Sequence, residues 1–281
     1  MAVADYCPLP WVGGKRRMLG HYVDWLESKL VPGRGFVEAF AGGACTALTL
    51  LGRRPGLEAW LNDADFAVYA FWATVRDDPE SLCDAVRRVH PERALWGEYR
   101  RSLGDPAGAG NLPLAEVAWR LLAVRSWSYG NGGATYHLAG GVRVKPATKA
   151  GQVRAAGRLL RDARVTNSDF RGVLAEDRGV AYLDPPYLVT LAKRRYALDF
   201  SVRDHLDLAD ALEARRSPWL LSYDDDVRVR GLYEGCDIRG FRHGRGLGGE
   251  RRFFRELLIR PAPGGTGTGA SRSGPPEAGE S

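Results

Sequence analysis

Short apolar runs, each stopped by turn or polar residues and separated by helix-like stretches, constrain this chain more than any other feature. Gly35-Phe36-Val37-Glu38-Ala39-Phe40 reads as a short buried strand, and Ala41-Gly42-Gly43-Ala44 as the turn after it. Residues 45–51 then carry a helical pattern that Gly52 is expected to stop. Ala59-Trp60-Leu61 reads as the next strand, with Asn62 and Asp63 at its C-terminal end, and residues 66–76 follow as a helix. Val180-Ala181-Tyr182-Leu183 is a strand that ends at Asp184-Pro185-Pro186-Tyr187. Residues 205–214 form an amphipathic helix with Leu206, Ala209 and Leu212 on one face, and residues 219–222 and 253–259 are further strands. Strands interleaved with helices predict an α/β fold.

Two segments break the alternation. Residues 77–164 hold expected helices at 114–124 and 152–163 around Ser126-Trp127-Ser128-Tyr129-Gly130-Asn131-Gly132-Gly133, and read as an insertion. Residues 261–281 are rich in Gly, Pro, Ser and Thr and cannot repay the entropy of ordering, so they are expected to be a flexible tail. The expected organisation is therefore 1–76, an inserted 77–164, 165–260 and the tail.

Composition excludes several classes. With 44% hydrophobic and 26% charged residues among 281, wholesale disorder is ruled out. Cys7, Cys45, Cys83 and Cys236 are scattered without a C-x-x-C pair, which points to a reducing, cytoplasmic setting and against a disulfide framework or zinc finger. The 5 histidines lack metal-ligand spacing, so no metal is expected. Neither a membrane span nor a signal peptide is expected, since no stretch nears eighteen apolar residues. A net charge of +6, from 40 Lys+Arg against 34 Asp+Glu, permits a polyanionic partner without demonstrating one.

The chemistry is carried by three motifs. In Asp184-Pro185-Pro186-Tyr187 two prolines lock the backbone at a strand end, so the Asp184 carboxylate and the Pro185 carbonyl are held together beside an aromatic ring. Two acceptors and a π face suit a planar amine. In Phe36-Val37-Glu38-Ala39-Phe40-Ala41-Gly42-Gly43 the glycines allow a nucleoside-type ligand close to the backbone, and Asp63 is placed to accept from ribose hydroxyls. The G-x-G-x-x-G spacing of a dinucleotide fold is absent, which disfavours an NAD-type oxidoreductase. Pro10-Trp11-Val12-Gly13-Gly14-Lys15 joins an aromatic face, two glycines and one of only five lysines.

The order of these motifs resembles the Dam-type DNA adenine-N6 methyltransferases. Asn167-Ser168-Asp169-Phe170 and Tyr196-Ala197-Leu198-Asp199-Phe200 resemble further segments of that family, and the cofactor motif precedes the insertion while the catalytic motif follows it. The resemblance implies a Rossmann-like S-adenosylmethionine methyltransferase sheet with an inserted, mainly helical target-recognition subdomain. It implies that Trp11, Lys15, Glu38, Ala41, Gly42, Gly43, Asp63, Asp169, Phe170 and Asp184 surround S-adenosylmethionine. Asp184 and Pro185 would take the hydrogens of an adenine N6 amine, with Tyr187 stacked on a base flipped from double-stranded DNA. In the insertion, Trp127, Tyr129, Asn131 and Tyr136 would contact DNA, and Arg143, Lys145 and Lys149 would contact phosphates, as would residues 193–195 outside it. A monomer is expected, with a cognate restriction endonuclease as a possible partner. The chain departs from the family pattern at Ala39, Ala44 and Tyr223. Methylation of an RNA adenine or a cytosine N4, or binding without turnover, are the alternatives.

Overall fold

A computed structural model describes residues 6–13, 15–88, 90–137, 145–188, 200–247 and 250–263. Within them the expected α/β fold is present as one seven-stranded sheet. Its strands are β1 (Phe36–Glu38), β2 (Ala59–Asn62), β3 (Arg164–Thr166), β4 (Val180–Leu183), β5 (Trp219–Asp224), β6 (Asp237–Leu247) and β7 (Glu250–Arg260). Across the sheet they run β3-β2-β1-β4-β5-β7-β6. The strands β3, β2, β1, β4 and β5 are mutually parallel, and β7 runs antiparallel to both of its neighbours, giving a Rossmann-like, doubly wound architecture. Strand order reverses between β1 and β4, so a crevice opens beyond their carboxyl ends. In register, Glu38 lies opposite Leu61 on one side and Tyr182 on the other, which brings the ends of β1, β2 and β4 level.

Every residue of β1, β2 and β4 is buried, because helices cover both faces. Successive side chains enter opposite cores, as strand geometry requires. Phe36, Leu61, Tyr182 and Leu220 face one core, with α1 (Leu19–Ser28), α2 (Cys45–Arg53) and α3 (Phe66–Asp77). Val37, Trp60, Ala181, Leu183 and Leu221 face the other, with α9 (Phe170–Ala175), α10 (Val202–Ala214) and α11 (Val227–Leu232).

Residues 77–164 fold as α4 (Pro79–Arg88), α5 (Arg93–Leu103), α6 (Pro106–Gly110), α7 (Leu114–Ser126) and α8 (Pro146–Leu160). Val117, Leu121 and Leu122 of α7 and Val153 and Leu160 of α8 share the first core with Phe71 and Trp72 of α3. Among the described residues no helix is long and apolar enough to cross a membrane.

Several local expectations need correction. Gly52 does not stop α2 but lies inside it, where a Cβ would come 3.2 Å from the Tyr6 hydroxyl oxygen; the glycine is there for close approach. Helix α8 starts at Pro146 and ends at Leu160, shifted from the expected 152–163, because proline is well suited to a first helical turn. Helix α10 starts earlier than expected, at Val202, behind a capping box formed by Ser201 and Asp204. Strand β6 has no apolar alternation and forms through its ladder with β7. The segments 189–199 and 264–281, which include residues 193–195, 196–199 and nearly all of the expected tail, lie outside the described residues, as does Arg143.

Candidate active site

The crevice at the β1/β4 switch contains a pocket of about 920 Å³, open mouth included. Its lining brings together Trp11, Lys15, Glu38, Ala41, Gly42, Gly43, Asp63, Asp184 and Tyr187, which the sequence scattered over more than half of the chain.

One side of the pocket is the turn after β1. Glu38, 3% exposed, accepts from the Ala47 amide at 2.8 Å and so caps the N-terminus of α2 from the neighbouring strand. It does so because the N-cap residue itself, Ala44, offers no side-chain acceptor. Burial raises the Glu38 carboxyl well above the usual carboxylate range, against the opposing pull of that amide. Ala44 sits at φ 47°, a left-handed conformation that strains any residue with a Cβ. A glycine here would relax the backbone.

The glycines before it are required by contact. A Cβ on Gly42 would lie 2.6 Å from the Trp11 indole nitrogen, and one on Gly43 would lie 3.0 Å from Trp11 Cβ. Gly42 donates its amide to Asp63 Oδ2 at 2.8 Å, and its carbonyl accepts the Trp72 indole N–H at 2.8 Å. Asp63 Oδ1 accepts the Asp65 amide at 3.0 Å. Burial, and then the like charge of Asp65, push the Asp63 carboxyl up to about 7. Asn62 brackets the strand ends by donating to the carbonyls of Ala39 and Ser168.

The other side is built on Asp184. Lys15, only 5% exposed, reaches across from the N-terminal loop with its ammonium 2.9 Å from Asp184 Oδ1. The Tyr187 hydroxyl donates to the same oxygen at 3.0 Å, and the Ser222 hydroxyl of β5 at 2.9 Å. Three donors therefore converge on Oδ1, and Oδ2 is left as the acceptor for an incoming N–H. Lys15 also donates to the Tyr187 hydroxyl at 2.5 Å and to the Gly13 carbonyl, and lies 3.7 Å from Glu256 of β7. Its nitrogen is 4.9 Å from the Tyr187 ring centroid but beside the hydroxyl, so it sits off the oxygen end and leaves the ring face uncovered.

Behind Tyr187 stands Tyr223, stacked at 5.7 Å and 29°. The Tyr223 hydroxyl is hydrogen-bonded to His205 Nδ1, and His205 packs edge-on against Phe200, which lines the pocket. Burial lowers the imidazole to about 4, so it is neutral near pH 7. Tyr223 thus gives Tyr187 an aromatic support. The sequence alone gives Ser222, His205 and Glu256 no role at the site and marks Tyr223 only as a departure from the pattern it resembles.

Other expected residues fall elsewhere. Pro185 is buried, while Pro186 lines the pocket. Phe170 lies one layer behind the wall, against Phe40 at 5.6 Å and Phe200 at 5.5 Å. Asp169 caps α9 through the Arg171 amide and pairs with the Arg171 side chain. Trp127 is buried against Tyr99 and Trp119, so its position is that of a packing residue. Tyr129 is half exposed, Tyr136 is half-buried, and the Asn131 side chain lies outside the described residues. Lys145 is exposed at the start of α8. Lys149 is buried and donates to the Pro8 carbonyl, and burial lowers its ammonium to about 8. Arg125, at the end of α7, stacks its guanidinium 4.1 Å from the Trp11 ring and was not anticipated.

No curated protein matches the chain. Among solved structures, an rRNA methyltransferase, aviRa from Streptomyces viridochromogenes, matches with a TM-score of 0.36 and 15% identity, over 92% of this chain and 89% of that one. The family model for D12 class N6 adenine-specific DNA methyltransferases matches residues 11–103, a span that holds Trp11, Lys15, the turn after β1 and Asp63. Through that span the chain has the resemblance to Dam-type DNA adenine-N6 methyltransferases that its motif order carries.

Proposed function

We propose that the protein transfers a methyl group from S-adenosylmethionine to the N6 amine of an adenine flipped out of double-stranded DNA. The observation that carries this reading is the Asp184 cluster, in which one carboxylate oxygen is saturated by Lys15, Tyr187 and Ser222 while the other remains for substrate. The pocket suits the cofactor. Asp63 can accept from ribose hydroxyls, and Trp11 and Phe40 offer apolar surface. When bound, S-adenosylmethionine supplies a methyl already activated on a sulfonium.

The protein's part is positioning. Asp184 Oδ2 and the Pro185 carbonyl accept the two amine hydrogens, which turns the nitrogen lone pair towards the methyl donor. Tyr187, backed by Tyr223, stacks on the base. Hydrogen bonds from Lys15, Tyr187 and Ser222 keep Asp184 in one rotamer, so no reorganisation is needed as charge develops on the amine. Residues 77–164 serve as the target-recognition part, with the exposed Tyr129 and Lys145 towards DNA.

The test is long-read sequencing of plasmid DNA from a methylation-deficient host expressing the protein. Methyladenine in one recurrent motif is expected, and Asp184→Ala is expected to lower it by at least ~10²-fold. Unmodified DNA from a host that holds soluble wild-type protein rejects the reading. Near-normal modification by Asp184→Ala rejects the assigned role of that residue.

A further inference from the structure

Helix α5 carries a cluster of arginines that the site described above does not use. Arg93, Arg100 and Arg101 are exposed, and none makes an ion pair among the described residues. Their neighbours behave differently. Arg87 and Arg88 of α4 pair with Asp84, Arg120 of α7 with Glu116, and Arg154 of α8 with Glu80. The one carboxylate within α5, Glu98, lies 4.0 Å from Arg120, and Glu92 precedes the helix.

Helical geometry puts the three guanidinium groups in one stripe. Arg93 and Arg100 are two turns apart on the same side. Arg101 folds back over Gly97, where an added Cβ would lie 3.5 Å from its Nη1, so its head falls between the other two. The stripe spans about 10 Å of helix axis, at about 1.5 Å per residue. That length corresponds to roughly three phosphates of one DNA strand, at about 3.4 Å of axis each.

Two of the three arginines are steadied by aromatic rings. Arg93 lies 5.6 Å from the Tyr136 ring centroid, Arg100 lies 5.6 Å from that of Trp96, and the two rings are 5.8 Å apart. The Trp96 indole donates to the Ser128 hydroxyl at 2.9 Å, and Ser128 bridges to Tyr136. A Cβ on Gly132, in the same turn, would be 3.7 Å from a Val12 methyl, and Val12 lines the pocket. The stripe is therefore joined to the pocket mouth by a short series of touching residues.

We propose that this face of α5 holds the phosphate backbone of the duplex beside the extruded base, through Arg93, Arg100 and Arg101. Charges left unpaired on an exposed face, and held over aromatic rings, lose little side-chain entropy when a polyanion arrives. Contacts of this kind orient a duplex without reading its sequence. The inference rests on DNA being the substrate.

The experiment is fluorescence-anisotropy binding of a labelled duplex by the full chain, between about 50 and 200 mM salt. The triple variant Arg93→Ala/Arg100→Ala/Arg101→Ala is expected to flatten the slope of log affinity against log salt by about 0.9 per lost contact, on any sequence. At 0.1 M salt that slope corresponds to up to about eightfold weaker binding per contact. Affinity for S-adenosylmethionine should stay as in wild type, which also shows that the variant is folded. Replacing the same three by lysine should keep the slope. A control triple, Arg34→Ala/Arg178→Ala/Arg216→Ala, removes equal charge at the opposite end of the sheet, before β1, β4 and β5, and should also keep it. An unchanged slope in the α5 alanine triple, or an equal loss in the control, overturns the proposal. Wild type that binds RNA and not the duplex overturns the DNA reading on which it rests.

Discussion

The pocket is bounded by two aspartates, each just past the end of a parallel strand, and they are held in opposite ways. Asp184 is fixed by side chains from three separated segments, Lys15, Tyr187 and Ser222, all acting on one oxygen. Asp63 is fixed by two backbone amides, those of Gly42 and Asp65, with one oxygen assigned to each. A cation lies against the first, whereas burial and a neighbouring carboxylate act on the second and lift it to about 7. The difference teaches that two carboxylates of one pocket can be held by different means, one by a cation and side-chain hydroxyls and the other by amides alone.

The largest effect is expected from Lys15→Met. It strips the nearby cation from Asp184 and Glu256 together, and breaking a buried pair of this kind costs about 3–5 kcal/mol. Urea unfolding should recover part of the loss in Lys15→Met/Asp184→Asn, because Glu256 alone is then left without the Lys15 cation. Strictly additive losses would break the contrast with Asp63.

Asp63→Asn should act through pH. The folded-state value of about 7 lies above the ordinary 3.8, so the unfolded chain releases its proton first as pH rises. Wild type should therefore lose stability between about pH 4 and pH 7, by at most about 1.4 kcal/mol per unit, and then level off. Stability measured across that window should lack this component in the Asn variant. Parallel profiles for the two proteins would show that amides and burial do not set the state of Asp63.

The smallest change is Ala44→Gly, which relaxes the left-handed residue closing the turn that holds Asp63. A gain of up to about 1 kcal/mol is expected in thermal unfolding, reduced by the extra freedom of the unfolded glycine. A destabilised variant would show that the methyl of Ala44 contributes more by packing than its backbone costs.

The same contrast governs what could be read from the sequence. The strands β1, β2 and β4, the glycine turn and the prolines after β4 are local signals and lie where their patterns placed them, whereas α8 and α10 begin earlier than their patterns suggested. Asp63 could be placed because its supports are sequence neighbours or belong to the motif itself. The tie from Lys15 to Asp184 spans 169 positions and leaves no local mark, so Lys15 was expected at the cofactor and not against Asp184. Trp127, flanked by serines, gave no sign that Tyr99 and Trp119 would enclose it. Gly52 resembled a stop signal because glycine has two uses, and only the position of Tyr6 distinguishes them. Strand β6 exists through its partner, which a reading of its own residues could not supply.

The segment from Tyr6 to Lys15 is pinned at Gly52 by Tyr6, at α8 by the bond from Lys149 to Pro8, at the glycine turn by Trp11, and at Asp184 and Glu256 by Lys15. Lys15 precedes Asp184 by 169 positions and Glu256 by 241, so on a ribosome it is made before either carboxylate that it meets in the fold. The end of the pocket around Asp184 is therefore completed only after β7 has been synthesised, whatever has folded before it.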